Sequence, residues 1–82
     1  MEQFRREADA ILAQHKQNMD AAAARHSGLE KDLARFRYAA DNYNMITGEL
    51  MRLSNETDGA PDQKTRIINQ LLWAFVEYAK GQ

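Results

Sequence analysis

His26-Ser27-Gly28-Leu29-Glu30 is the stretch that decides how this chain folds. Ser27 followed three residues later by Glu30 matches a capping box, in which a hydroxyl and a carboxylate close a helix N-terminus. Gly28 costs about 1 kcal/mol relative to alanine inside a helix. Both features argue for a break and hence for three helices. Against them stands the phase of the apolar residues on either side. At about 100° per residue, Phe4, Ile11, Ala22 and Leu29 fall within roughly 20° of one another. A stripe that keeps its phase through the site predicts one long, bent helix over residues 3–53. The alternative is a three-helix bundle broken near Ser27-Gly28.

Working outward, apolar or small residues recur at Phe4, Ala8, Ile11, Leu12, Met19, Ala22, Leu29, Leu33, Phe36, Ala40, Tyr43, Ile46, Leu50 and Leu53. Steps of three and four are the spacing of one helical face. From Leu29 the series Leu29, Leu33, Phe36, Ala40, Tyr43, Thr47, Leu50 is a heptad seam of the kind that packs on another helix. The one cluster of helix breakers is Ser54-Asn55-Glu56-Thr57-Asp58-Gly59-Ala60-Pro61, read as a loop over 54–61. Gly59 suits a helix end and Pro61 the first turn of the next helix. Asp62 and Lys80 carry the charges that favour the two ends of a helix over 62–80. The sequence therefore predicts an all-α fold in a single domain spanning residues 1–82. Its layout is a helical hairpin, with a long N-terminal helix and a shorter C-terminal one.

The chain has 82 residues, 11 basic and 12 acidic side chains, and no cysteine. Cores of this size are marginal, and metals, disulfides or oligomerisation commonly support them. Disulfides and thiolate metal sites are excluded, and a cysteine-free chain fits a cytoplasmic setting. The near-cancelling charge argues against a general grip on nucleic acid. No apolar run approaches the roughly 20 residues of a transmembrane helix. Met1–Glu7 lacks the apolar core of a secretory signal, so the chain reads as a complete soluble polypeptide.

Length arithmetic then points to a partner. A helix of about fifty residues runs about 75 Å, and one of nineteen about 28 Å. The shorter helix covers only the seam from Leu33 to Leu53, which leaves the Phe4–Leu29 arm uncovered. On the C-terminal helix, Ile67, Ile68, Leu71, Leu72, Ala74, Phe75, Val76, Tyr78 and Ala79 spread over about 200°, wider than one buried stripe. Trp73 lies on the polar side of that helix, and tryptophan is a frequent interface anchor. Candidate partner-binding residues are thus Trp73, Phe75 and Val76 on the short helix, with Phe4, Ile11 and Leu12 on the arm. Tyr38 and Met45, opposite the seam, form a further candidate patch, being residues that adapt to irregular contacts.

Other chemistry is poorly provided for. His15 and His26 lie about 16 Å apart on a straight helix, too far to share a metal ion. A pH-responsive interface is the functional role open to them. Arg35 and Arg37 flank aromatic residues but point about 200° apart, so they form no single basic face. Neighbouring His26 and Ser27 point about 100° apart and are no nucleophile–base pair. No glycine-rich phosphate loop or paired-histidine zinc motif occurs. No enzyme activity, cofactor, metal or small-molecule substrate is expected.

The expected function is that of a small protein–protein interaction module: an adaptor, chaperone-like protein or inhibitor acting by helix–helix packing. The alternative is a structural homo-oligomerisation element, such as a dimeric bundle or a phage or particle assembly protein. In size and layout alone, the expected hairpin is similar to the two-helix co-chaperones of type III secretion needle subunits. That likeness implies shielding of a partner's apolar surface.

Overall fold

The computed structural model describes residues 1–81. Among these it has three helices: α1 (Glu2–Ala23), α2 (Gly28–Glu56) and α3 (Pro61–Ala79). The fold is all-α, as the spacing predicts, and no strand occurs among the described residues.

The predicted uninterrupted helix does not form. Ser27 is extended, at φ −139° and ψ 162°, and Gly28 takes φ +58°. That left-handed conformation costs an L side chain about 1–2 kcal/mol and glycine almost nothing. The break therefore falls where the capping-box pattern and Gly28 placed it. The Ser27 side chain, however, makes no capping hydrogen bond. With α1 turned back on α2, the arm has partners within its own chain. The two-helix layout behind the co-chaperone likeness is absent.

The second connection is shorter than predicted. Helix α2 runs through Ser54 to Glu56, so the loop is Thr57–Ala60. Carbonyls at a helix C-terminus lack intrahelical partners, and here side chains supply them. The Thr57 hydroxyl donates to the Leu53 carbonyl at 2.8 Å. The Lys64 ammonium donates to the carbonyls of Ser54 and Thr57, the latter at 2.7 Å. These bonds give the buried Lys64 head group its partners. Pro61 opens α3, where its missing N–H is no loss.

One core joins the three helices. Phe4, Ala8, Leu12 and Met19 of α1 meet Ile46, Leu50 and Leu53 of α2, together with Ile67, Ile68, Leu72 and Phe75 of α3. Helix α1 is antiparallel to α2, since Asp20 meets Arg35 while His15 meets Glu49. Helix α3 is antiparallel to α2 as well, with Lys64 at Ser54 and Tyr78 at Arg35.

The helices differ in length, and this exposes part of the seam. Helix α2 has 29 residues and α3 has 19, about 43 and 28 Å of rise. Because α3 ends level with Arg35, the first turns of α2 project beyond it. Of the predicted heptad seam only Leu50 is buried. Leu29, Leu33, Phe36 and Tyr43 are exposed.

Candidate functional site

Two polar links fix α1 against its neighbours. His15 is buried between α1 and α2, with Nε2 2.8 Å from Glu49 Oε1 and Nδ1 2.9 Å from the Tyr38 hydroxyl. An ionised Glu49 only accepts hydrogen bonds, so Nε2–H is the donor there. In the neutral ring, Nδ1 then accepts the Tyr38 O–H. Both ring nitrogens are thereby used in holding α1 on α2.

The second link joins all three helices. Arg35 donates to Asp20 at 2.6 Å, and so does the Tyr78 hydroxyl. Arg35 also donates to the Tyr78 carbonyl, and its guanidinium lies 4.7 Å from the centre of the Tyr78 ring. The Tyr78 hydrogen bond, aided by Arg35, holds the Asp20 carboxyl below its ordinary value of 3.8, with partial burial opposing. The same bond to Asp20 pushes the Tyr78 hydroxyl above its ordinary 10.0.

Proton linkage gives the signs. The Asp20 contribution is fully present above pH 3.8 and is lost as pH falls through the lower folded value. The Tyr78 contribution is present below pH 10.0 and is lost as pH rises through the higher folded value. Urea midpoints of the wild type and Asp20→Asn should therefore converge on acidification below about pH 4. A gap that stays constant down to about pH 2 would show that this link does not contribute.

The open apolar surface lies elsewhere. At about 100° per residue, Leu29, Leu33, Phe36, Ala40 and Tyr43 sit within roughly 40° of one line on α2. That line is about a quarter-turn from the buried Ala39–Ile46–Leu53 line. Leu29 is 86% exposed, Leu33 56% and Phe36 57%. Beside this stripe runs an open groove of about 460 Å³ between α1 and α2, lined in part by Ala22, His26, Glu30, Leu33 and Arg37. Leu33 belongs to both features.

The predicted anchor residues separate into three groups. Phe4, Leu12 and Phe75 are core, and Ile11 packs half-buried against that core. Their predicted role as partner anchors gives way to intramolecular packing, because the turn at Gly28 supplies α1 with neighbours. Tyr38 is half-buried and tied to His15, and Val76 is half-buried. Trp73 (69% exposed) and Met45 are open to solvent. Trp73 lies diametrically opposite the buried face of α3, and Met45 opposite the α2 stripe. The structure does not bring these two together. The stripe is legible in the sequence as a heptad, whose part from Leu33 onward the predicted hairpin places under α3.

Arg35 is drawn inward to Asp20 while Arg37 is exposed at the groove, so the two arginines share no face. His26 lies in the exposed turn, apart from His15. No cluster of three or more potential metal ligands occurs among the described residues. No helix among them is long and apolar enough to cross a membrane. Comparison with family models, curated proteins and solved structures finds no match for the chain.

Proposed function

We propose that the chain is a self-contained three-helix bundle that acts as a protein-binding module, with α2 as its docking helix. One observation carries this reading. A heptad-spaced apolar stripe, Leu29-Leu33-Phe36-Ala40-Tyr43, faces solvent on a helix whose core-facing side is already occupied. Burying a large apolar side chain is worth about 1.5–3 kcal/mol, and a helix partner would gain that at several positions together. The roles that follow are those of an adaptor, a chaperone-like shield or an inhibitor. Catalysis forms no part of the proposal. The buried histidine has both nitrogens committed to Tyr38 and Glu49.

The test compares the wild type with a Leu33→Glu, Phe36→Glu double variant in crosslinked capture from cells. Both positions are exposed, so the variant should melt within a few degrees of the wild type. It is expected to lose most of the crosslinked proteins. If both chains recover the same proteins in the same amounts, the stripe is not the docking surface.

A further inference from the structure

We infer that the occupant of the exposed α2 stripe is a second copy of this chain, packed antiparallel through the N-terminal half of α2 about a two-fold axis between Leu33 and Phe36. The inference rests on the stripe being a docking surface, and it names the partner. Three observations support it.

The first is self-complementarity. A two-fold contact requires residue i to meet j and j to meet i. With the axis between Leu33 and Phe36, each Leu33 meets the partner's Phe36, and each Leu29 meets the partner's Ala40. Bulky residues thus face one another at the centre, and the most exposed leucine of each copy gains a small residue to lie against.

The second is charge. Glu30 and Arg37 flank the stripe on its groove side, seven residues apart and therefore on one line. Neither makes an ion pair among the described residues. The same axis sets each Glu30 against the partner's Arg37, giving two equivalent bridges. Centring the axis further along, near Tyr38, would set Arg37 against its own copy. On the other flank Asp32 lies beside the α3 end, with Arg35 and Tyr78.

The third is room and area. Helix α3 stops level with Arg35, so two copies overlapping only through the first half of α2 extend away from each other and do not collide along α3. Aromatic side chains carry about 150–250 Å² each and leucines somewhat less. At the exposures observed, Leu29, Leu33, Phe36 and Tyr43 leave on the order of 500 Å² open, at the upper end of what a monomer shows in one patch. That falls below the roughly 800 Å² per partner of a standard interface. A reversible dimer is the state this area supports.

Sedimentation of the intact chain across a wide concentration range tests the assignment. The wild type should pass from monomer to dimer, and Phe36→Glu should weaken association by at least about a hundredfold. Glu30→Arg or Arg37→Glu alone should each weaken it by about tenfold, as two bridges become two repulsions. The double variant Glu30→Arg, Arg37→Glu should restore it, because the pairs re-form with their signs exchanged. Circular dichroism confirms that each variant is folded. A wild type that stays monomeric overturns the inference, and the stripe remains a docking surface if the capture experiment still depends on it. A dimer indifferent to Glu30→Arg overturns the antiparallel register.

Discussion

Replacing Phe75 with alanine is expected to remove about 3–5 kcal/mol of stability, the range for truncating a buried aromatic side chain. Phe75 has no exposed surface and joins the cluster shared by all three helices. A chain of 82 residues holds about 4–12 kcal/mol in total at typical per-residue values. The variant should therefore lose about a quarter or more of its stability, and at the lower end it should not fold cooperatively. Trp73→Ala, two residues away on the same helix, should change stability by less than about 0.5 kcal/mol. Thermal melts followed by circular dichroism measure both. The contrast separates core from surface on α3. A mild Phe75→Ala together with a severe Trp73→Ala would mean that the helix presents the opposite face.

That pair also shows what the sequence could and could not reveal. Periodicity marks the stretches that are helical but joins the first two into one, and it places Ile67, Ile68, Leu72 and Phe75 on the apolar side of α3, where they are buried. It set Trp73 on the opposite side, and Trp73 is exposed. Periodicity could not say which apolar faces would find each other. Leu29 shares its helical phase with Phe4, and from that phase a continuous helix was predicted. In the fold Phe4 is enclosed and Leu29 is the most exposed of the large apolar residues. Phase relates two residues only while the helix between them is unbroken, and a single left-handed glycine resets it. The arm residues Phe4 and Leu12 then exchange a predicted partner for their own core. The seam from Leu33 to Tyr43 exchanges a predicted core for solvent. Three polar features left no linear signature. Lys64 lies 10 and 7 residues from the carbonyls it serves, His15 is 34 from Glu49, and Asp20 is 58 from Tyr78. Such separations are set by how the helices turn.

Because one glycine sets that turn, Gly28→Ala is expected to have the largest effect on shape. Alanine at φ +58° meets no neighbouring atom, so the cost is conformational: about 1–2 kcal/mol against the turned state. Alanine also favours a straight helix over glycine by about 1 kcal/mol. Together these shift the balance towards a fused α1–α2 helix by about 2–3 kcal/mol, roughly 30- to 140-fold. A straight monomer would still be unfavourable. It uncovers Phe4, Leu12 and Met19, each worth about 1.5–3 kcal/mol when buried. A domain-swapped pair avoids that loss, since the α1 of one chain rebuilds the same core on its partner. The expected product is a swapped dimer built on a helix of about 80 Å, against a longest extent of 43 Å for the compact chain. Small-angle scattering reads the difference directly. The experiment belongs in a Leu33→Glu background, which disables docking through the α2 stripe and leaves exchange of α1 as the route to a dimer. Gly28→Asn is the control, because asparagine tolerates the left-handed region and should keep the compact form. If Gly28→Ala stays compact, monomeric and as stable as its parent, the left-handed glycine is not what holds α1 against α2.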